Sequence, residues 1–287
     1  MSSLPCPPLP SDTARAAEAV FGREHPYLLI GESLEALWKD LELSAFDSVE
    51  PFLAGSLYPY LLATILQYWE NLSDQQMAQA TRTRAELKYA MHFPLDYPGM
   101  DPRCLCSFRQ NILSNEGGKN ALQAANEHFG RFVFHQKYPE DVDQIITVVC
   151  LPSRLEIVLE RMGMALEAVA TREPGWLISN TQSHWYQRYY QKSAHQWVPQ
   201  APREIESLAE AIGNDGLHLL RSIENSNNPA LARLPEILKL RREWLRQFEW
   251  GQESVKLRKL CSLSCGNGFQ FLSGSSDQGE GGQKGEK

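Results

Sequence analysis

The sequence predicts a mainly α-helical protein, and two observations carry that prediction. Apolar residues recur at spacings of three and four through most of the chain, as at Leu34, Leu37 and Leu41. Segments with this spacing begin at capping residues and end at glycine or proline, as helices do. Only residues 144–151, QIITVVCL, form a strand candidate, because they are continuous, apolar and rich in β-branched side chains.

The first part of the chain is predicted to hold a proline-rich start and three helices. Residues 1–12 contain four prolines and are expected to be disordered. The strongly apolar third helix is expected at the centre of the core. The three helices are predicted at 13–22, 33–41 and 61–71.

Three further short helices with tight turns are predicted to follow. Ser73 caps the first, with Gln76 at the partner position of a capping box. Asp101 caps the third, with Pro102 at the first helical position. A compact unit of this kind is typical of a helix-turn-helix, in which one helix lies in a DNA major groove. The three helices are predicted at 74–81, 83–93 and 102–113.

The remainder is predicted to form a second helical region and a tail. Its helices are expected at 120–134, 152–170, 202–212, 215–225 and 234–250. The last residues are rich in glycine, serine and charge, as unstructured tails are. The predicted units are a disordered start at 1–12, a helical DNA-binding domain at 13–135, a second helical region at 136–250 with one isolated strand near 144–151, and an unstructured tail at 251–287.

Composition excludes several classes of protein. The longest apolar runs are far shorter than the roughly 20 residues of a membrane-spanning helix. The N-terminal residues lack the basic and apolar regions of a secretory signal. We therefore expect a cytoplasmic protein with no membrane partner and with six reduced cysteines. Cys104 and Cys106 would point to different sides of a helix, so no metal site is predicted.

The charge is distributed unevenly along the chain. The net charge is −7, and residues 1–74 alone carry −8. Residues 75–113 carry +2, from five cations and three acids. Because each phosphate contact releases about one counterion, five cations predict weak, salt-sensitive affinity for DNA. Localised basic charge in the predicted helix-turn-helix indicates a DNA-binding function.

Several separated blocks, in order, resemble a known family. They are HPYLLIGESLEALW, LLATILQYWENLSDQQMAQATRTRAELKYAMHF, PGMDPRCLCSFRQNIL, WYQRYYQKSAHQWVPQAPREIESLAEAIGNDGLHLLRSI and LARLPEILKLRREWLRQF. This pattern resembles the N-terminal, InsH-type part of bacterial insertion-sequence transposases of the DDE class. The resemblance covers about residues 10–250 and includes an N-L-S-D turn and a DxxxLxxFR helix, here Asp101, Leu105, Phe108 and Arg109.

The resemblance implies a DNA-binding role in DNA transposition, in a bacterial cytoplasm. Its expected partners are the inverted repeats at transposon ends, and either a second copy or a full-length transposase. Arginine pairs with guanine, and glutamine or asparagine with adenine. Arg109 has a structural alternative, in which it ties its helix to an acid. The residues expected to contact DNA are Arg82, Arg84, Lys88, Arg103, Ser107, Arg109, Gln110 and Asn111.

The resemblance also implies that catalysis is incomplete in this chain. Intact relatives hold two Mg²⁺ ions with two aspartates and a glutamate. The first aspartate falls at Asp141, beside Asp143, but the family pattern D-S-T-H is here Asp-Val-Asp-Gln. The second aspartate and the glutamate are expected to be missing, by a frameshift or an early stop. We therefore expect Asp141 to be a catalytic remnant, with no cofactor for this chain.

Other interpretations stay open from the sequence. The chain is alternatively a regulator of a full-length transposase, or a gene relic without function. The aromatic residues near 185–190 either stack on bases or pack in the core, and their spacing favours the core. The basic helix with Lys239, Arg241, Arg242 and Arg246 is either a second DNA contact or a solvated face.

Overall fold

The structure, a computed structural model, describes residues 7–40, 57–113, 116–132, 141–190, 199, 201–226, 228–251 and 254–259. These residues form thirteen helices and one two-stranded antiparallel sheet. The prediction of a mainly α fold is confirmed. Within the same residues, no helix is both long enough and apolar enough to cross a membrane.

Seven helices precede the longest one. They are α1 (Ser11–Phe21), α2 (Pro26–Asp40), α3 (Leu57–Glu70), α4 (Asp74–Thr83), α5 (Ala85–Ala90), α6 (Pro102–Leu113) and α7 (Glu116–Gly130). The capping box predicted at Ser73 is present, since Ser73 Oγ accepts from Gln76 N and Gln76 Oε1 accepts from Ser73 N. Asp101 caps α6 as predicted, and its carboxylate accepts from Arg103 N at 2.8 Å.

The longest helix and five shorter ones complete the helical part. They are α8 (Val142–Arg172), α9 (Pro174–Asn180), α10 (Trp185–Tyr189), α11 (Pro202–Asn225), α12 (Pro229–Ala232) and α13 (Pro235–Gln247). Two strands follow directly, β1 (Phe248–Trp250) and β2 (Val255–Leu257), and they pair antiparallel with Phe248 opposite Leu257.

The strand predicted at 144–151 is wrong, because these residues belong to α8. Asp141 caps the helix by accepting a hydrogen bond from Asp143 N at 3.0 Å. The buried residues of this turn, Val142, Ile145, Ile146 and Val149, recur at helical spacing. Tertiary burial of this stripe outweighs the β propensity of its branched side chains.

Other boundaries also differ from the prediction. The helices expected at 202–212 and 215–225 are one helix, α11, which runs through Gly213 and Gly216. The helix expected at 234–250 ends at Gln247, since residues 248–250 form β1. The unstructured tail expected from residue 251 is wrong for residues 255–257, which form β2. Residues 260–287, like residues 1–6, lie outside the described residues.

The first apolar core is formed by α2 to α7 and the start of α8. Leu62, Ile65 and Leu66 of α3 are fully buried at its centre, as expected for this apolar helix. Phe108 of α6 packs into the same core. We call this set of buried residues, which ends at Val149, the N-terminal core.

A second apolar core begins on the same long helix. It contains the buried face of α8 from Leu151 onward, together with α11, α13 and the hairpin. Trp185 and Trp244 are its largest fully buried side chains. We call it the C-terminal core. α8 therefore contributes to both cores, which meet between Val149 and Leu151, and the predicted domain limits of 13–135 and 136–250 stay a prediction.

Candidate nucleic-acid interface

The α6 helix is held to the N-terminal core by a buried ion pair. Arg109 is 3% exposed, and its Nη2 lies 2.6 Å from Asp74 Oδ2 at the start of α4. Gln67 of α3 joins them, because its Nε2 donates to Asp74 Oδ1 at 2.9 Å and its Oε1 accepts from Arg109 Nη1 at 3.1 Å. The cluster fixes three helices relative to one another.

The N-L-S-D turn that precedes α4 also binds α8. Ser73 Oγ donates to Glu156 Oε1 at 2.6 Å, and Asp74 N donates to Ser153 Oγ at 2.9 Å. The turn, the DxxxLxxFR helix and the start of the SRLEIVLERMG segment therefore meet at one polar cluster. Two of the blocks on which the family resemblance rests contact each other and α8 here.

Cysteines surround this polar cluster as free thiols. Cys106 and Cys150 both lie near Arg109 and Asp74, whose charges affect the pKa of each thiol. Burial raises the pKa of Cys106 to about 11, and burial likewise raises the pKa of Cys150. The free thiols that the structure describes are Cys104, Cys106 and Cys150.

A second polar cluster surrounds the side chain of Arg84. Its Nη2 donates to Glu70 Oε1 at 3.0 Å and its Nε to Glu86 Oε1 at 2.8 Å, while its guanidinium lies 5.6 Å from the ring centre of Tyr27. Tyr27 donates its hydroxyl to Glu70, and burial beside that carboxylate raises the pKa of the phenol. Arg84 therefore joins α2, α3 and α5.

Lys88 also points into the protein. It is 6% exposed, and its Nζ donates to the backbone oxygen of Leu95 in the loop after α5. Arg84, Lys88 and Arg109 were all expected to contact DNA, and their cationic groups are engaged internally. A phosphate would have to displace these partners to reach them.

The spacing of residues in the sequence indicates that Arg109 and Lys88 point into the protein. Leu105, Phe108, Arg109 and Ile112 stand at i, i+3, i+4 and i+7, so Arg109 falls on the buried stripe of α6. Lys88 follows buried Leu87 by one residue and precedes buried Met91 by three, as Arg109 does with Phe108 and Ile112. Asp74, Gln67, Ser153 and Glu156 were not anticipated as partners, because no local pattern identifies contacts between distant segments.

The opposite face of α6 is accessible. Arg103 and Gln110 are exposed and Ser107 is half-buried, and their spacing of four and three places them on one stripe. Asn111 is half-buried, and its side-chain amide donates to the backbone oxygen of Ser107. Arg103 pairs with Asp101 at 2.6 Å, with 66% of its side chain exposed.

Arg82 lies near the start of this stripe. Met100 N, just before α6, donates to Thr81 Oγ1 at 3.1 Å, which brings the end of α4 to the beginning of α6. Arg82 is exposed and makes no ion pair with the part of the chain that the structure describes. We call Arg82, Arg103, Ser107 and Gln110 the α6 face.

Asp141 lies apart from the α6 face, at the start of α8. It is exposed, and its carboxylate is occupied in capping the helix. Among the described residues, no three His, Cys, Asp or Glu side chains come close enough to hold a metal ion.

A third polar cluster, around Asp215, lies in the C-terminal core. Asp215 is 4% exposed and binds His184 Nε2 at 3.1 Å, the hydroxyl of Tyr189 at 2.7 Å and the guanidinium of Arg188. Burial and the Asp215 carboxylate raise the pKa of Tyr189. This cluster joins α10 to α11, and Trp185 is buried in the core, as its spacing indicated. The same interpretation is wrong for Tyr186 and Tyr190, which are 65% and 54% exposed.

Comparison with known proteins gives one match. Residues 16–111 match the family model of a transposase domain, DUF772. No curated protein matches the chain, and no solved structure does. The matched residues include α6 as far as residue 111, both ends of the Arg109–Asp74 pair and the whole α6 face. The N-terminal region of this protein is therefore similar to a transposase domain, and this similarity suggests a role related to transposition.

Proposed function

We propose that the protein binds DNA through the α6 face, as the DNA-binding part of a DDE-type insertion-sequence transposase. The observation that carries the proposal is the position of α6 within the matched transposase domain. Its inner face is fixed by the buried Arg109–Asp74 pair, and its outer face stays accessible. A recognition helix needs such support, because side chains that read bases must be held in place.

The chemistry of the α6 face suits the edges of bases. Arginine forms paired hydrogen bonds with guanine, and glutamine does so with adenine, in the major groove. Arg103 lies in the first turn of α6, and in a helix-turn-helix the N-terminal residues of the recognition helix contact the bases. Ser107 and Gln110 continue this stripe along the same helix.

The charge of the α6 face predicts modest affinity. It holds only two cations, Arg82 and Arg103, and Arg103 is already paired with Asp101. Arg84, Lys88 and Arg109 are left out of the proposed interface, because their cationic groups bind inward. Asn111 stays at its edge. Two phosphate contacts give a slope of about −2 for the logarithm of DNA affinity against the logarithm of salt concentration. This slope is much shallower than that of a tight operator-binding protein.

Fluorescence anisotropy tests this proposal. The full chain is titrated with terminal inverted-repeat DNA and with a scrambled duplex at low and moderate salt. We expect preferential binding of the repeat, and a loss of that preference in Arg82→Ala/Arg103→Ala. Arg15→Ala/Arg23→Ala is the matched control, since these exposed arginines pair locally with Asp12 and Glu18 on α1.

Two outcomes would contradict the proposal. One is a folded wild-type chain that binds neither duplex at low salt. The other is equal binding of both duplexes that the α6-face substitutions leave unchanged, since base contacts at this face would then contribute nothing.

A further inference from the structure

The outer face of α13 and the neighbouring hairpin carry an excess of positive charge. Residues 235–259 carry seven cations and four acids, in a chain whose net charge is −7. Lys239, Arg242 and Arg246 stand at spacings of three and four, so they lie along one stripe of the helix. We call this stripe, with the neighbouring Arg241, the α13 ridge.

The cations of the α13 ridge are less engaged than those near α6. Lys239 and Arg242 make no ion pair or hydrogen bond with the described residues, and Arg242 is exposed. Arg241 pairs with Glu224 at the surface, and Arg246 approaches Glu243 only to 3.8 Å. The pair of Arg241 with Glu224 at the surface contributes little and exchanges readily for a phosphate.

The α13 ridge stands on a rigid support. On the opposite face of α13, Trp244 is fully buried, and its indole Nε1 donates to the backbone oxygen of Gly213 at 2.8 Å. The end of the helix is fixed by Arg154, whose Nε donates to Gln247 Oε1 at 2.8 Å and whose Nη2 donates to Gln247 O at 3.2 Å. The ridge is therefore presented on a helix that packing and hydrogen bonds hold in place.

Arg154 also adds positive charge beneath the ridge. It is 7% exposed, and its partners are neutral: the Gln247 side chain and the backbone oxygens of Gln247 and Arg258. Within the described residues, no carboxylate lies at ion-pair distance from it. Burial lowers the pKa of Arg154 to about 10, so it remains protonated at neutral pH.

We infer that the α13 ridge binds the phosphate backbone of duplex DNA and supplies the sequence-independent part of the affinity. The inference rests on the proposed DNA-binding function, and it places the electrostatic contact in the C-terminal region instead of at the α6 face. Charge complementarity favours a polyanion, because Lys239 and Arg242 have no ion-pair partner among the described residues and can attract phosphates along the helix. The α6 face then contributes selectivity, and the ridge contributes attraction.

Loss of charge gives the first test. Binding of the full chain to a duplex of unrelated sequence is measured by fluorescence anisotropy between about 50 and 200 mM salt. We expect Lys239→Gln/Arg242→Gln to weaken binding about tenfold or more and to lower the log–log salt slope by about two. Arg82→Gln/Arg103→Gln removes the same number of cations from the α6 face and is the matched control, with a smaller loss on unrelated DNA.

Gain of charge gives a second test that misfolding cannot imitate. Leu238 and Leu245 flank Arg242 and are 50% and 55% exposed. Leu245→Lys adds a cation beside the ridge, so we expect severalfold tighter binding and a steeper salt dependence. If the exposed leucines instead bound a second copy of the chain, this substitution would lower self-association in analytical ultracentrifugation and leave DNA affinity unchanged.

The outcomes separate the two proposals. A wild-type chain that binds no DNA at low salt defeats the proposed function, and the ridge inference with it. Wild-type binding that neither the Lys239→Gln/Arg242→Gln nor the Leu245→Lys variant alters overturns the ridge inference alone. A change in oligomeric state without a change in DNA affinity overturns it as well.

Discussion

Two arginines on α6 form ion pairs with the same nitrogen-to-oxygen distance, but one pair is at the surface and the other is buried. Arg103 lies 2.6 Å from Asp101 at the surface, and Arg109 lies 2.6 Å from Asp74 in the interior. Solvent and mobile ions screen the surface pair. In the interior, each charge depends on its partner, because removal of one leaves the other buried and uncompensated.

Substitution of the two arginines is expected to have unequal effects. Arg109→Met should lower the free energy of unfolding by about 3–5 kcal/mol, because Asp74 loses its counterion in a buried site. Arg103→Met should leave the free energy of unfolding within experimental error. Urea unfolding followed by circular dichroism measures both, and equal losses would show that the Arg109–Asp74 pair is solvated.

At the residue scale, the sequence predicted the helix but not the direction of each side chain. Leu105, Phe108 and Ile112 recur at helical spacing and are buried. Arg109 is expected either to contact DNA or to tie its helix to an acid, and its pair with Asp74 is the second alternative. Positive charge alone does not distinguish a surface contact from a buried pair, because the partner, here Asp74, lies 35 residues away.

At the scale of helices, α11 and α13 cross where one glycine allows close approach. A Cβ atom at Gly216 would lie 2.3 Å from Trp244 Cε2 and 2.4 Å from its Cζ2. The indole of Trp244 therefore occupies the space that a side chain at 216 would fill. Gly163, in α8, has no atom within 4 Å of such a Cβ.

Alanine at the two glycines should shift stability in opposite directions. Gly216→Ala overpacks the crossing and should cost about 1–3 kcal/mol. Gly163→Ala removes backbone entropy from the unfolded chain without a clash and should add about 0.5–1 kcal/mol. Thermal unfolding of both variants checks this, and stabilisation by Gly216→Ala would mean that Trp244 repacks easily.

The start of α8 shows where pattern and propensity conflict. Residues 144–151 favour a strand by composition, while their buried positions follow helical spacing. A short continuous apolar run does not distinguish a strand from a helix, because its residues are apolar at both the strand spacing and the helical spacing. Asp141 as a helix cap and the exposed Asp143, Gln144 and Thr147 were the local signals that favoured a helix.

At the scale of the whole molecule, the two apolar cores share one helix. Ile145 and Ile146 of α8 pack in the N-terminal core, and Leu155 and Val158 pack in the C-terminal core. Glu156 and Ser153 also bind the turn before α4. Loss of either core therefore removes contacts that hold α8, and we expect the cores to unfold together.

Hydrogen exchange with mass spectrometry tests that coupling. Phe108→Ala empties a fully buried site in the N-terminal core and should cost about 3–5 kcal/mol. If the cores are coupled, amides of α11 should exchange roughly a hundredfold to several thousandfold faster as well, since about 1.4 kcal/mol corresponds to a factor of ten. Val20→Ala is the control, since Val20 is 71% exposed. Undiminished protection of α11 in Phe108→Ala would show that the cores unfold separately.

Each core draws its buried side chains from one continuous stretch of the chain, up to Val149 for the first and from Leu151 for the second. Recombination between two related genes at this point would keep the buried residues of each core together. Pro152, the second residue of the second stretch, cannot donate the hydrogen bond that a helix interior normally has at its position. A hybrid joined here would have to keep Ser153 and Glu156, whose contacts with the turn before α4 cross the junction.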